Sequence, residues 1–298
     1  MGSGGEWAAV NKMIIKGYGG CDMNIRIVSD SASNLYELEG AYYVSIPMKI
    51  IAGDATYVDD SNLNVRKMMD DLKAFRGKSN TAHPRISDWD KAFGDADVVF
   101  GVTVTSKLSG SYNSAVVAAE NYMEKNPGKE VFILDSRSTG PQMELILEKY
   151  VSLIKAGKTF KEIKAEIQRY RRKTHIWWSL ESLQSFVNTG RISGAAAFII
   201  KLFGVSIVGK ANEDGELEPT DKIRGSAKYC QKIYEHMLED GYSGGKVRIR
   251  HSYNEEAANI MAKIIRDDYP DSDIKIDLNK GLCGYYVEKG GILVAFEG

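Results

Sequence analysis

The first half of the chain alternates short apolar runs with longer segments whose apolar residues recur every three or four positions. Asn24–Ser29 is one such run, and Asp97–Thr105 is rich in Val, Phe and Thr, which is typical of a buried strand. In Asn64–Arg76 the apolar residues fall on one face of a helix. This alternation predicts a largely parallel sheet that is covered by helices on both faces.

The same patterns predict the other elements of this block. Strands are predicted at Ala41–Ile51, Thr56–Val58 and Glu130–Leu134, and helices from Leu108 to Asn126, from about Pro141, and from Thr159 to Lys173. The polar segment Ser79–Arg85 is predicted to be a loop.

The pattern changes near residue 174. Beyond it, strands at Val205–Ala211 and Glu216–Ile223 flank the turn Asn212–Gly215, whose Asp-Gly pair is a strong hairpin signal. We therefore predict an α/β protein of two domains. The N-terminal domain, residues 24–173, has a mostly parallel sheet flanked by helices, and the C-terminal domain, residues 174–298, has a mixed α/β sheet. The Gly-rich residues 1–23 are predicted to be a tail, and Ala195–Phe203 a core helix.

Charge and cysteine content narrow the function classes. The 39 basic and 40 acidic residues nearly cancel and form no broad basic face, which argues against nucleic-acid binding. Three widely spaced cysteines, Cys21, Cys230 and Cys283, favour neither a disulfide framework nor a cysteine-rich zinc site, and they fit the reducing cytoplasm. The longest apolar stretch, Gly194 to Gly209, is broken by Lys201 and is too short to span a membrane, so we expect no stable membrane insertion.

Three polar loops follow predicted strands, where ligands bind in open α/β sheets. They are Asp30–Ser33, Ser106–Ser111 and Asp135–Thr139. In the second loop, Ser109-Gly110-Ser111 opens a helix, so free backbone N–H groups and serine hydroxyls can converge on an anion. Serine is also a leading helix-capping residue, and on pattern alone a cap is the more frequent role.

Motifs that carry catalysis are absent from the sequence. There is no HxxxH, and no GxGxxG after the first strand, where Asp30-Ser31-Ala32-Ser33 stands instead. We therefore predict no metal, no cofactor and no catalytic residue. Two further residues merit notice: His83 lies in the Ser79–Arg85 loop, and Arg191 follows a glycine that is placed like a helix C-cap.

Taken as a set, several segments resemble the DegV family from about residue 24 onward. The most specific is Leu108-Ser109-Gly110-Ser111-Tyr112-Asn113-Ser114-Ala115. The other matching segments are Asp30-Ser31, Thr81–Arg85, Thr105–Lys107, Asp135-Ser136, Gly190–Ser193 and Gly215–Arg224.

The resemblance implies two α/β domains that hold a long-chain fatty acid in a buried tunnel, without catalysis by this chain. It also implies that Thr81 and Ser109 bind the carboxylate, with the amide of Gly110 nearby. Some members of the family present the fatty acid to a separate fatty acid kinase catalytic subunit, which would then be the partner. Hydroxyls at a helix N-terminus suit a buried carboxylate, which requires charge-assisted donors.

The chain departs from the family pattern at two places. The family loop Thr-Ser-Gln-Pro-Ser reads Thr81-Ala82-His83-Pro84-Arg85 here, and Tyr286 stands where the family histidine is expected. A tyrosine donates a hydrogen bond but carries no positive charge near neutral pH. His83 or Arg85 can supply a cation in its place.

We expect the neighbours of the head group to be His83, Arg85, Ser111, Arg191 and Tyr286. Two other readings stay open at this point. One is a transferase that acts on an anionic small molecule at Ser109–Ser111. The other is a regulatory protein that senses a lipid.

Overall fold

The computed structural model describes residues 13–16, 22–192 and 204–298. The predicted helix Ala195–Phe203, Ser193 and most of the predicted tail lie outside these residues. Met13–Lys16, which we assigned to the tail, instead forms a strand that pairs antiparallel with residues 22–25. No helix in the described part of the chain is long and apolar enough to cross a membrane.

Strands and helices alternate along the described residues. The strands are β1 (Met13–Lys16), β2 (Asp22–Asp30), β3 (Tyr43–Ile46), β4 (Lys49–Ala52), β5 (Ala55–Val58), β6 (Ser79–Ala82), β7 (Val98–Thr103), β8 (Glu130–Asp135), β9 (Thr174–Leu180), β10 (Ser206–Ala211), β11 (Leu217–Ile223), β12 (Val247–His251), β13 (Ile274–Leu278) and β14 (Ile292–Glu297). The helices are α1 (Val65–Ala74), α2 (Ile86–Phe93), α3 (Ser111–Lys125), α4 (Gly140–Lys155), α5 (Phe160–Arg171), α6 (Gln184–Asn188), α7 (Ser226–Glu239), α8 (Glu255–Asp268) and α9 (Gly281–Val287).

The first sheet contains the parallel core that the sequence predicts. β3 and β7 lie on opposite sides of β2, β8 follows β7, and all four strands run parallel. Helices α2 and α3 cover one face, where Phe93 and Ala115 pack on Val99 in one apolar cluster. Helices α4 and α5 cover the other face, where Ile146 and Ile163 belong to a second cluster. Both faces are therefore buried, as parallel sheets require.

A small antiparallel sheet, in the order β5-β4-β6, corrects two predictions. The predicted strand Ala41–Ile51 is two strands, β3 and β4, in different sheets. Pro47 separates them, because proline has no N–H for a strand ladder. The predicted loop Ser79–Arg85 begins as β6, which pairs with β4 so that Thr81 lies opposite Ile50.

The second large sheet has the order β11-β10-β9-β14-β12-β13. Only its β12–β13 pair is parallel, so the sheet is mixed, as predicted from the sequence. The predicted hairpin is confirmed: β10 and β11 pair across the turn, where Gly215 has φ of 85°. Helices α7 and α8 cover one face of this sheet through Ile233 and Met261.

Helix α4 lies between the two large sheets and is buried almost all round. Met143, Ile146 and Tyr150 join the core of the first sheet, whereas Leu145 packs with Ile176 of the second. A helix that is apolar on opposite faces is typical of an interior layer. This helix therefore fixes how the two sheets face each other.

Two carboxylates of α4 enter this interface, and arginines of β12 pair with both. The guanidinium of Arg250 donates to Glu144 at 2.7 and 2.9 Å, and both side chains are about 95% buried. The guanidinium of Arg248 donates to Glu148 at 2.6 and 3.0 Å. A buried charge without a partner is costly, so these pairs tie α4 to β12.

Glu144→Gln removes the buried one of the two carboxylates that pair with Arg250 and leaves the half-exposed Asp277. We expect the free energy of unfolding to fall by about 2–4 kcal/mol, because the guanidinium stays buried with only this outer partner. Chemical denaturation measures the change. The control is Asp267→Asn, which breaks the exposed Lys263–Asp267 pair and should cost no more than about 1 kcal/mol. Equal losses for the two variants would contradict the structural role of the buried pair.

Glu148 makes stability depend on acid pH. Burial alone would raise the pKa of Glu148, but hydrogen bonds from Arg248 and Lys275 outweigh it and lower the pKa to about 2. Ionised Glu148 therefore contributes stability above the ordinary carboxyl pKa of 4.5, and this contribution is lost as the pH falls towards 2. In Glu148→Gln, unfolding monitored from about pH 5 to 2.5 should show a shallower loss of stability than in the wild type. Identical slopes would contradict this assignment.

Candidate functional site

A cavity lies where the second sheet, the small sheet and the carboxyl end of the first sheet meet. Most of its lining is apolar: Met48, Ala82, Val104, Leu108, Trp178, Leu180, Phe186, Leu217, Leu282, Val287 and Leu293. An apolar lining with a few polar groups is typical of a small-molecule or lipid site.

The second sheet forms the apolar wall. Trp178 and Leu180 are two positions apart on β9, so their side chains point to the same face of the sheet. Leu293 of β14 pairs with Trp178 across the neighbouring strand. The indole of Trp178 covers Gly209 of β10, where a Cβ atom would overlap the ring. Glycine at 209 therefore lets the indole lie flat against the sheet.

Hydroxyl pairs join β6 to α9 on the polar side of the cavity. Thr81 Oγ1 and the hydroxyl of Tyr286 are 2.9 Å apart, and Ser79 Oγ and the hydroxyl of Tyr285 are 2.7 Å apart. Thr81 and Tyr286 line the cavity, whereas the Ser79–Tyr285 pair is buried beside it. Two residues from opposite ends of the chain, both singled out from the sequence, thus meet directly.

Asp59 places α9 in this position. Its carboxylate accepts hydrogen bonds from the backbone N–H groups of Gly281 and Leu282, at 2.8 and 2.9 Å, and from the hydroxyl of Tyr36 at 2.7 Å. These bonds satisfy the free N–H groups at the start of the helix. A carboxylate from the first half of the chain therefore anchors the helix that carries Tyr286.

Ser109 and Gly110 lie where the sequence predicts them, at the start of α3. The Oγ of Ser109 accepts a hydrogen bond from the N–H of Ser111 at 3.2 Å, which leaves the Ser109 O–H proton free to donate. Gly110 is the N-cap residue of α3.

The ring of His83 lies against Gly110, since a Cβ atom at Gly110 would be 2.6 Å from His83 Nε2. His83 Nδ1 lies 3.0 Å from the Pro84 carbonyl oxygen, to which it donates.

Arg191 brings a positive charge to the cavity wall. Its guanidinium donates to the carbonyl oxygens of Leu108 and Thr189, at 3.2 and 2.9 Å, and to the amide oxygen of Asn80 at 3.3 Å. In the part of the chain that the structure describes, all of its hydrogen bonds therefore go to neutral groups. Its charge remains available to an anion in the cavity.

Two predicted neighbours of the head group are not brought to the cavity. The side chain of Arg85 is 78% exposed and pairs with Asp88 at 3.1 Å, because both residues belong to the first turn of α2. Ser111 is fully buried, and its hydroxyl donates to Asp30 at 2.6 Å on the sheet side of α3. Arg85 and Ser111 therefore do not line the cavity, whereas Thr81, His83, Ser109 and Arg191 do.

Several lining residues carried no recognisable signal in the sequence. The sequence pattern of Trp178, Phe186 and Leu217 is that of ordinary core residues, because periodicity does not distinguish a cavity wall from a filled core.

Thr139 and Cys283 line the cavity too, with Thr139 Oγ1 and Cys283 Sγ 3.9 Å apart. Burial raises the pKa of Cys283 to about 12, so it is a neutral thiol.

The fold and the cavity together define an α/β protein with two large sheets and a small one, and with an apolar cavity that a few hydroxyl and cationic groups also line. A family model described as "Uncharacterised protein, DegV family" matches residues 24–297. The chain belongs to the DegV family, which confirms the resemblance predicted from the sequence.

Relatives and solved structures agree with this assignment. A DegV domain-containing protein of Streptococcus pneumoniae is 35% identical over 279 residues, which cover 92% of this chain and 99% of the relative. A DegV family protein from Eubacterium eligens, solved with heptadecanoic acid, is 40% identical with a TM-score of 0.89. The Streptococcus pneumoniae Fatty Acid Kinase (Fak) B3 protein, loaded with linoleic acid, is 35% identical with a TM-score of 0.90. Both structures match 92% of this chain and 99% of their own.

The two hydroxyl pairs should differ in their contribution to stability. Tyr285→Phe leaves the buried Ser79 hydroxyl without its partner, so we expect a loss of about 1–3 kcal/mol in the free energy of unfolding. Tyr286→Phe affects a half-buried hydroxyl that the cavity can hydrate, and we expect no more than about 1 kcal/mol. Thermal unfolding of both variants tests the ranking, and a larger loss for Tyr286→Phe would contradict it.

Proposed function

We propose that the protein binds a long-chain fatty acid in this cavity, with the carboxylate on the side of Thr81, Ser109 and Arg191. The observation that carries the proposal is the separation of polarity. Most of the lining is apolar, Trp178 and Leu293 included, whereas Arg191 lies near Thr81 and Ser109, because its guanidinium bonds the residues beside them, Asn80 and Leu108. A fatty acid has the same separation of an apolar chain and an anionic head. The cavity and the ligand therefore match in chemistry.

The polar side offers donors suited to a carboxylate. Thr81 and Tyr286 share two hydroxyl protons, of which one is used between them, so the pair retains one to donate. Ser109 has a second free proton, and Arg191 adds positive charge. These groups offset the cost of removing the carboxylate from water, while the chain gains about 0.8 kcal/mol for each buried methylene.

The solved relatives support this choice of ligand. The Eubacterium eligens protein holds heptadecanoic acid and the Streptococcus pneumoniae Fak B3 protein holds linoleic acid, at 40% and 35% identity to this chain. We propose further that this chain presents its fatty acid to a separate fatty acid kinase catalytic subunit. The chain itself then binds and orients the lipid, and phosphorylation belongs to the partner.

The geometry gives a transferase at Ser109 no support. A nucleophilic serine requires a base within hydrogen-bond reach, and the Ser109 hydroxyl contacts only the backbone N–H of Ser111 in the described residues. Among the described residues, no hydrogen bond joins the Ser109 hydroxyl to His83.

The proposed compartment is the cytoplasm, since Cys230 and Cys283 are both free thiols.

Native mass spectrometry of the purified full chain, followed by solvent extraction, tests the proposal. We expect about one long-chain fatty acid for each chain, or uptake of one oleic acid when the purified chain is empty. A chain that is empty and takes up no added fatty acid would rule out lipid binding.

Ser109→Ala tests where the head group binds. Loss of one donor to a buried charged group should weaken fatty acid affinity by about 1–3 kcal/mol, measured by displacement of a fluorescent fatty acid. Ser106→Ala is the matched control, because Ser106 is an exposed serine of the same loop. Wild-type affinity in Ser109→Ala would place the carboxylate elsewhere.

A further inference from the structure

Asp30 lies beneath the polar side of the cavity without lining it. It is the last residue of β2 and is fully buried. Its Oδ2 accepts hydrogen bonds from the Ser111 hydroxyl at 2.6 Å and from the Val104 N–H at 3.0 Å. Asp30 therefore joins the end of β2 to the segment after β7 and to the first turn of α3.

A chain of hydrogen bonds leads from Asp30 to the cavity wall. Asp30 accepts from the hydroxyl of Ser111, and the backbone N–H of Ser111 donates to Ser109 Oγ. The second bond leaves the Ser109 hydroxyl proton free to donate to a ligand. The position of Ser109 thus depends on Asp30 through one intervening residue.

One carboxyl oxygen of Asp30 and the nearby hydroxyl of Thr103 both lack a hydrogen-bond partner among the described residues. These atoms, Asp30 Oδ1 and Thr103 Oγ1, are both buried. Ser29 lies opposite Val102 in the parallel register, so the next residues along these strands, Asp30 and Thr103, lie side by side on one face. A protonated Oδ1 can donate to Thr103 Oγ1, so this site can accommodate a neutral carboxyl group.

The surroundings of Asp30 favour that neutral form. Asp59 is the titratable group whose charge raises the pKa of Asp30, and Tyr43 of β3 and Cys283 of α9 also lie within electrostatic range. The cation that acts on Cys283, Arg250, is itself paired with Glu144 and Asp277. Burial, with a smaller contribution from Asp59, raises the pKa of Asp30 to about 7 against hydrogen bonds from Ser111 and from the backbone of Val104 and Ala32. Near neutral pH, a second negative charge nearby is enough to change its protonation.

We infer that Asp30 is a positioning residue for the head-group side of the cavity, and that it takes up a proton from solvent when an anionic ligand binds beside Ser109. The inference rests on the proposed binding of a fatty acid. The ligand carboxylate repels an ionised Asp30 across the first turn of α3. By linkage, the ligand binds more tightly when Asp30 is already neutral, so affinity falls as the pH rises through 7.

Calorimetry of dodecanoate binding to the full chain tests this coupling. At pH 7.5, titrations in phosphate and in Tris, which differ in ionisation enthalpy, should show net uptake of a fraction of a proton. Affinity should fall about tenfold from pH 6.5 to 8.5, the order expected when two like charges repel inside a protein with partial screening. Dodecyl sulfonate, which stays anionic over this range, should show the same slope.

Three variants identify the group that takes up the proton. Asp30→Asn keeps an acceptor for Ser111 but cannot titrate, so it should bind with no proton uptake and a flat pH profile. Asp135→Asn, at the end of β8, two strands away from β2 in the same sheet, should keep the wild-type profile. His83→Gln removes the other titratable group beside Gly110 and should also keep proton uptake. Uptake that is absent in the wild type, survives in Asp30→Asn or disappears in His83→Gln would overturn the inference.

A measurement on the wild type covers the case in which Asp30→Asn does not fold. In protein labelled with ¹³C-aspartate, NMR follows the chemical shift of the Asp30 carboxyl carbon as the pH changes. The midpoint of this titration should move to higher pH when dodecanoate is added. An unchanged titration in the bound state would refute the coupling. Failure of dodecanoate and oleic acid to bind at any pH would refute the proposed function itself, whereas binding without proton uptake would refute only the role of Asp30.

Discussion

The structure depends on the contact of one buried helix with two sheets. α4 lies between them, and its carboxylates Glu144 and Glu148 are held by Arg250 and Arg248 of β12. Removal of either partner would leave a charge in an interior that cannot hydrate it, so these pairs favour one placement of the sheets over others. The cavity is the space that this placement leaves beyond the first turn of α4, where Thr139 reaches the lining.

The site is assembled from segments that are distant along the chain. Thr81 meets Tyr286, and Arg191 reaches the carbonyl oxygen of Leu108. Asp59 adds a third such link through the start of α9. Each link joins a residue of the first half to one of the second, so the polar side of the cavity exists only when both halves are folded together. Binding of a ligand there should therefore stabilise the whole chain rather than one half.

Periodicity predicts most of this fold, because strands with two buried faces and helices with one apolar face leave clear patterns. It predicts the parallel core, the β10–β11 hairpin and the mixed second sheet. It misses β6, whose four residues, Ser79–Ala82, are short and polar and become a strand only by pairing with β4. It misses α9, since a helix that begins at Gly281 and includes Gly284 has weak intrinsic propensity and depends on the carboxylate of Asp59.

The lining of the cavity follows less completely from the sequence than the fold does. Resemblance to the family and the loop patterns point to Thr81, His83, Ser109, Arg191 and Tyr286, which all line the cavity. Arg85 and Ser111 were expected beside them, yet one pairs with its own helix and the other points to the sheet, because the direction of a side chain near a helix start cannot be read from spacing. The apolar wall was not predicted, since Trp178 and Leu293 have the same pattern in a cavity as in a filled core.

The most direct test of the central claim is a crystal structure of the full chain with a fatty acid that carries bromine on its terminal carbon. We expect an anomalous bromine signal against the wall formed by Trp178 and Leu293, and carboxylate density within hydrogen-bond distance of the Ser109 hydroxyl. Bromine on the polar side, or a cavity without ligand while the fatty acid binds elsewhere, would contradict it.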